Sequence, residues 1–212
     1  MSDIFQEVDE DLRRDKLFKL WRRYGSYVIG AAVAVVIATA AYVAWQNYRT
    51  KQIMAEGDSF FQAILLRSAG QSRQATEAFA TLAEKHQDGY GTLARLNEAA
   101  LMAERGDAAS AVKIYDQLAA SASDRSLRDL ATLCSVSLGL DTADPGDLKA
   151  KLDPIAAPDN PFRHSARELS ALLALRNGDA ATAKELFKEL AADKTAPSGV
   201  RARAEEMLQS LG

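Results

Sequence analysis

Residue types that carry out chemistry are sparse in this sequence, and their spacing matches no complete catalytic motif. The histidines His86 and His164 have no Cys or His partner at the separations found in zinc sites. The segment "SAVK" (Ser110 to Lys113) matches an S-x-x-K nucleophile pattern, but the S-D-N and K-T-G elements, a glycine-rich phosphate loop and a G-x-S-x-G elbow are missing. The sequence therefore predicts a non-enzymatic protein without metal or cofactor. The alternative, a membrane-tethered enzyme with an unrecognised site, would show a polar pocket that contains a histidine.

The single cysteine, Cys134, lies in the apolar helical pattern "LRDLATLCSVSLGL" and has no partner for a disulfide. A reactive thiol needs a neighbouring base or a helix N-terminus that lowers its pKa. We therefore expect Cys134 to be a small buried hydrophobic residue.

The charge balance excludes a nucleic-acid partner. The chain has 26 Lys and Arg against 29 Asp and Glu, for a net charge of −3. A nucleic-acid surface needs clustered basic residues, and no basic stripe is present.

One stretch, "YGSYVIGAAVAVVIATAAYVAW" (Tyr24 to Trp45), contains no charged residue. As a helix it would be roughly 33 Å long, about the thickness of the hydrocarbon layer of a bilayer. Tryptophan and tyrosine flank both ends, as at membrane interfaces. The pattern favours a transmembrane helix over residues 24–48. The alternatives are a cleavable signal peptide, with "ATA" as its cleavage site, and a buried helix of a soluble protein.

Basic residues are more numerous before this stretch than after it, which favours a cytoplasmic N-terminus. The expected organisation is a cytoplasmic segment at 1–23, the span at 24–48 and one domain across the membrane at 49–212. A cytoplasmic location of that domain is the alternative. Within the span, Gly30, Ala34 and Ala38 form a small-residue stripe predicted to contact another membrane helix. Seven alanines in the span also produce such stripes by chance.

The rest of the chain is rich in alanine and leucine, with apolar residues at helical spacing. Gly70, Gly106 and Gly178 are expected at helix ends, and Asp107, Asp124 and Asp179 at N-caps. "DNPF" should open another helix with Pro161 in its first turn. The predicted helices cover residues 50–68, 72–87, 90–105, 107–121, 124–139, 146–156, 161–177, 179–193 and 197–210.

Two segments align without gaps and indicate an internal repeat. "GDAASAVKIYDQLAA" begins at Gly106 and "GDAATAKELFKELAA" at Gly178, two units of 36 residues apart. A further copy begins at Gly70, and "GDLKAKLDPIAA" from Gly146 is a copy shortened by three residues. Each copy has an apolar face that only neighbouring helices can bury, so the pattern predicts an all-α solenoid. "SGVRARAEEMLQSLG" is expected to be its capping helix.

These units resemble the tetratricopeptide repeat family in the Gly-Asp turn and in the alanine five residues after the glycine. The matching aromatic residues are Phe79, Tyr115 and Phe187, and the matching small residues are Ala63, Ala99 and Ala171. The resemblance implies a surface for partner proteins that is lined by the first helix of each pair. The candidate partner-binding residues on it are Phe60, Ile64, Leu93, Leu96 and Asn97, unless these side chains are simply repeat core. Phe60 and Ile64 replace the Lys and Asn of carboxylate-clamp members, so that chemistry is not expected.

Nearly the full chain resembles the YfgM-like family, the ancillary subunit of the bacterial SecYEG translocon. The similar stretches are the acidic N-terminus followed by basic residues and one span, "YGTLARLNEAALMAERGD" (Tyr90 to Asp107) and "ARELSALLALRNGDAATA" (Ala166 to Ala183). This resemblance implies a single-pass inner-membrane protein with a periplasmic domain and no catalytic residues. The implied partners are the translocon, a membrane-anchored periplasmic chaperone, exported clients and membrane lipid. A general envelope-assembly adaptor unrelated to secretion is the alternative.

Overall fold

The computed structural model describes the backbone of residues 3–86 and 89–212, and the side chains at 18, 20–86 and 89–212. Within these ranges the chain forms nine α-helices and no strand, which confirms the predicted all-α class. Two compact units are present, Met1–Ala55 and Glu56–Gly212. The helices are α1 (Asp3–Ser68), α2 (Ser72–Lys85), α3 (Tyr90–Glu104), α4 (Ala108–Ser121), α5 (Arg125–Gly139), α6 (Pro145–Leu152), α7 (Arg163–Arg176), α8 (Ala180–Ala192) and α9 (Ser198–Ser210).

The first unit is helical, and its described side chains are almost all exposed. From Leu20 onward α1 is long and apolar enough to cross a bilayer. Its most apolar 18-residue stretch has a mean hydropathy of 2.2, and no residue of that stretch is buried. Near the two ends of the apolar run, the Arg23 guanidinium lies 5.8 Å from the Tyr24 ring centroid and the Arg49 guanidinium 5.5 Å from that of Trp45. By length and composition, this helix meets the requirements of a single span.

Two predicted helices in the N-terminal half of the chain have different ends in the structure. The separate helix expected from residue 50 is part of α1, because residues 46–56 contain no proline or glycine that would end it. The helix expected at 72–87 ends at Lys85, and residue 87 lies outside the described residues. Of the predicted segment 1–23, Met1 and Ser2 lie outside the described residues too.

The core of the second unit consists of four apolar clusters, and each cluster joins three successive helices. The first cluster joins the end of α1 with α2 and α3, and the second joins α3, α4 and α5. The third joins α5, α6 and α7, and the fourth joins α7, α8 and α9. Each helix pair therefore depends on its neighbours for burial, as a solenoid requires. The packing of Val200 and Ala204 on the last pair confirms α9 as the capping helix.

The 36-residue period is visible in the burial pattern. Ala63, Ala99, Ser135 and Ala171 follow one another at this spacing in the first helices, and all four are at most 2% exposed. In the second helices the buried small residues are Ala75, Ala111 and Ala183, and the buried aromatic residues are Phe79, Tyr115 and Phe187. A small residue at each crossing lets helices approach closely, and the aromatic ring fills the space one turn later. The predicted repeat is confirmed at these positions.

The turns between helices use the predicted glycines and caps. Gly70, Gly106 and Gly178 have φ values of +75°, +88° and +79°, a region that side chains with a Cβ rarely adopt. The Asp107 carboxylate accepts a hydrogen bond from the Ser110 amide at 3.1 Å, and Asp179 and Asp124 cap their helices in the same way. These predictions are confirmed.

The third pair departs from the copy predicted to begin at Gly146. The N-cap of α6 is Asp144, whose Oδ1 accepts hydrogen bonds from the amides of Gly146 at 2.9 Å and Asp147 at 3.1 Å. Pro145 occupies the start of the helix, where its missing amide costs nothing. Leu148 is therefore the equivalent of Ala111, 37 rather than 36 positions later. This unit contains one inserted residue before its second helix.

α6 also ends earlier than predicted, at Leu152, and α7 begins later. Pro154 cannot donate to the carbonyl four residues before it, and its ring would clash with that carbonyl. Pro161 lies before α7 and not in its first turn, because the chain turns at Asn160 first. The Asn160 Oδ1 accepts a hydrogen bond from the Phe162 amide at 2.8 Å, and α7 starts at Arg163.

A polar joint links the second and third pairs, formed by Asp116 of α4, Ser135 of α5 and Lys151 of α6. Ser135 is 2% exposed and occupies the position where the other first helices have alanine. Its hydroxyl donates to the Asp116 carboxylate at 2.5 Å, and the Lys151 ammonium donates to the same oxygen at 2.7 Å. The buried hydroxyl is thus fully paired.

His164 is buried near the start of α7. It is 5% exposed, and its Nε2 lies 2.9 Å from Asp193 in the loop between α8 and α9. The Thr195 hydroxyl and amide also donate to the Asp193 carboxylate. These bonds hold the pKa of Asp193 well below its usual value, chiefly through Thr195.

Candidate binding groove

The predicted partner-binding residues of α1 lie against the first core cluster. Phe60 and Ile64 are half-buried there. The Phe60 ring lies 5.6 Å from the ring centroids of both Phe79 and Tyr90. Phe60 therefore takes part in a three-ring contact that joins α1, α2 and α3.

The predicted residues of α3 lie one helix further on. Leu96 is 9% exposed in the second core cluster, and Leu93 packs against that cluster. The Asn97 side chain donates to the Leu93 carbonyl at 2.9 Å and accepts from Arg67 at 3.0 Å. Arg67 is also ion-paired with Glu104, so the polar atoms of this face are engaged within the protein.

The predicted membrane-contact residues Gly30, Ala34 and Ala38 are exposed on α1 in the first unit. A Cβ added at Gly30 would meet no atom within 4 Å. The small-residue stripe is therefore open within this unit.

The structure brings a different set of residues together, in a groove of about 510 Å³ formed by the first helices α3, α5 and α7. Most of its lining is apolar, and small side chains leave room between the larger ones. The lining residues are Ala100, Ala103, Tyr115, Leu130, Leu133, Cys134, Ser137, Leu138, Phe162, Ser165, Glu168 and Leu169.

Cys134 and Tyr115 meet at the floor of this groove. The thiol is half-buried, and burial raises its pKa despite its hydrogen bond with Tyr115. Burial, together with the neighbouring thiol, raises the pKa of Tyr115 to about 12. The Tyr115 hydroxyl also lies 3.5 Å from the Leu96 carbonyl oxygen. Both groups are therefore neutral near pH 7, and Cys134 is neither activated nor fully buried.

Glu168, the charged residue in the groove lining, is paired with an arginine that lies outside the lining. Its carboxylate accepts two hydrogen bonds from the Arg203 guanidinium, at 2.6 and 2.7 Å. The groove thus offers apolar side chains and two serine hydroxyls, with no basic side chain that could bind a carboxylate.

Comparison with known families identifies this architecture. Residues 19–212 match the model of the tetratricopeptide repeat-like domain. The chain belongs to this family. No curated protein and no solved structure matches it. Tetratricopeptide repeat-like domains are in general non-catalytic modules for protein interaction.

The repeat-like domain places its groove on the predicted helix face but further along the chain. Two periods of 36 residues after Leu93, Leu96 and Asn97 lie the groove residues Ser165, Glu168 and Leu169. One period after Asn97 and Ile64 lie Leu133 and Ala100, which also line it. Applying the period to the predicted residues would therefore have found part of the groove from the sequence.

This repeat-like domain also has a polar pocket of about 410 Å³ that contains His86. The imidazole Nδ1 lies 2.9 Å from the Glu56 carboxylate, and the Ser121 hydroxyl of the pocket donates to the Gln117 carbonyl. Serine and histidine are therefore not paired as nucleophile and base. Among the described residues, no group of three His, Cys, Asp or Glu side chains could hold a metal ion.

Proposed function

We propose that this chain is a membrane-anchored scaffold whose repeat domain binds an apolar segment of a partner protein in the α3–α5–α7 groove. The groove itself carries the proposal, because it is an open apolar surface on the helices that repeat domains of this type use for binding. Leu93 and Asn97 are half-buried on α3, the helix whose Ala100 and Ala103 line the groove, and we propose them as partner-binding residues together with Phe60, Ile64 and Leu96.

The chemistry of the groove selects the type of ligand. Leu130, Leu138 and Leu169 offer apolar contact, and Ser137 and Ser165 can hydrogen-bond to a peptide backbone. A charged ligand group would lose hydration and find no free counter-charge. We therefore expect an uncharged, apolar stretch of an unfolded or helical polypeptide.

The proposed location of the protein is the bacterial inner membrane. The apolar part of α1 supports a span at residues 24–48 in contact with lipid, with Gly30, Ala34 and Ala38 available to a membrane partner. The basic residues before the span support a cytoplasmic N-terminus and a periplasmic domain at 49–212. The resemblance to the YfgM-like family supports an ancillary role at the SecYEG translocon, where the domain would assist exported proteins together with a membrane-anchored periplasmic chaperone.

Site-specific photocrosslinking in intact membranes tests the groove. A photoreactive residue at Ser137, exposed in the groove, should crosslink exported polypeptides and translocon subunits. The matched control is Ala120, which is exposed on α4 outside the groove lining. Equal crosslinking from both positions would overturn the groove, and crosslinks only to unrelated envelope proteins would overturn the translocon role. A compartment-specific reporter fused after Gly212 should be active in the periplasm alone.

A further inference from the structure

The second unit leaves two large apolar side chains exposed among its described residues, and both belong to α1. Phe61 is 58% exposed and Leu65 is 44% exposed. Asp58, also exposed, precedes Phe61 by three positions, so the three side chains lie on one face of the helix. We call this face the open edge. Every other large apolar side chain described in this unit is at least partly buried, so the exposure is specific to the first helix pair.

The repeat period identifies what covers this face in later pairs. Leu101 of α3 and Leu173 of α7 lie one and three periods of 36 residues after Leu65, and they are 0% and 4% exposed. Leu101 belongs to the first core cluster with Phe79 of α2, and Leu173 belongs to the third with Leu152 of α6. In both pairs the second helix of the preceding pair helps to bury the leucine. The open edge is therefore the surface on which a preceding second helix would pack.

The first pair has no preceding second helix. Among the described residues of the second unit, α1 is the first helix, whereas α9 covers the other end of the stack. Terminal units of repeat proteins need a polar outer face to remain soluble by themselves. Phe61 and Leu65 depart from this rule, and an apolar pair at the end of a stack is a surface suited to a protein partner.

Asp58 determines the charge of the helix that fits this surface. It occupies the position where α3 and α7 have Ala94 and Ala166, which are both 0% exposed. A helix packed there would remove the Asp58 carboxylate from water, and this carboxylate has no salt-bridge partner within the described part of the chain. A desolvated carboxylate needs a positive charge beside it. A second copy of this chain, packed by two-fold symmetry, would instead bring two Asp58 carboxylates together.

We propose that the open edge binds an amphipathic α-helix of another protein, which pairs a Lys or Arg with Asp58. Apolar side chains of this helix contact Phe61 and Leu65, as those of α2 and α6 contact α3 and α7. The partner helix thereby takes the place of a preceding second helix. The open edge shares no residue with the groove lining, so the ligand of the groove and the partner helix do not compete for the same side chains.

Site-specific photocrosslinking of the full chain in intact membranes tests the open edge. A photoreactive benzoylphenylalanine at Leu65 should crosslink a partner protein in much higher yield than the same residue at Ser59, which is exposed on the opposite side of α1. Mass spectrometry of the product should place the attached residue in an amphipathic helix with a Lys or Arg within one turn. Equal yields from the two positions would overturn the proposal. So would attachment to lipid, to a second copy of this chain or to a segment without such a basic residue.

Charge reversal tests the ion pair. Asp58→Lys should lower the crosslink from Leu65 at least about tenfold. Asp141→Lys makes the same change in the exposed turn after α5 and should leave the yield unchanged. Replacing the basic residue of the partner with Glu should restore the crosslink in Asp58→Lys. No loss in Asp58→Lys, or no recovery in the double variant, would overturn the proposal.

Two further measurements keep this result separate from folding and from the proposed function. Circular dichroism and the melting temperature establish that each variant is folded, and Asp58→Asn serves if the lysine variant is not. Crosslinking from Ser137 in the groove should be the same in Asp58→Lys as in the unchanged protein. Failure of the Ser137 crosslink alone would overturn the groove and leave the open edge untouched.

Discussion

Replacing Phe60 with alanine should destabilise the repeat domain. A fully buried Phe→Ala change costs about 3–5 kcal/mol, and an aromatic pair adds about 0.5–1.5 kcal/mol beyond area burial. Phe60 is half-buried but contacts the rings of Phe79 and Tyr90, so we expect a loss of about 2 kcal/mol in the free energy of unfolding. For a domain of this size, the melting temperature should fall by about 4–8 °C. Circular dichroism of the full chain in detergent measures this shift.

The neighbouring residue provides a matched control. Phe61 is 58% exposed on the same helix, so Phe61→Ala removes the same atoms without removing a core contact. Its melting temperature should stay close to that of the unchanged protein. If both variants melt at the same temperature, the three-ring contact does not stabilise the domain. The half-buried Phe60 would then be free to serve partner binding alone.

Gly91→Ala should strongly destabilise the domain, because the added Cβ would lie 1.8 Å from the His86 carbonyl oxygen. Gly199→Ala should change the stability little, because its Cβ would meet only the Arg203 side chain at 3.5 Å. Chemical denaturation measures the free energy of unfolding of both variants. Asp193 has a lowered pKa, so the stability it contributes is present above the unfolded value of about 3.9 and is lost as the pH falls below it. In Asp193→Asn the melting temperature should therefore fall less steeply at acidic pH than in the unchanged protein. An equally steep fall in both proteins would contradict the role of Asp193. Because burial raises the pKa of Cys134, its alkylation rate should keep rising with pH beyond the point where a free thiol levels off. A rate profile like that of a free thiol would contradict this.

The parts of the fold that the sequence predicts depend on short-range chemistry. A helix that stops at Gly106 and a new one that is capped by Asp107 need only a few neighbouring residues, all visible in one stretch. The repeat period then transfers the same turn to Gly178. Apolar spacing at 3.6 residues per turn completes the assignment of helices.

The groove and the short third pair depend on competition and on contacts distant in sequence. Asp144 and Asp147 could both cap a helix, and Pro145 favours the earlier start. The groove combines Ala103, Leu138 and other residues of separate helices, whose approach is set by stacking and not by local pattern. The burial of His164 depends likewise on Asp193, which follows it by 29 positions.

The polar joint of Ser135, Asp116 and Lys151 has a consequence for how the chain folds. In a protein built from similar units, the most accessible error is to stack one pair where its neighbour belongs, because the apolar surfaces are nearly interchangeable. A helix misplaced in this way would separate Ser135 and Lys151 from the Asp116 carboxylate and lose both hydrogen bonds. The joint therefore distinguishes the third pair from the others, and it makes a structure with the pairs stacked in the wrong order less stable.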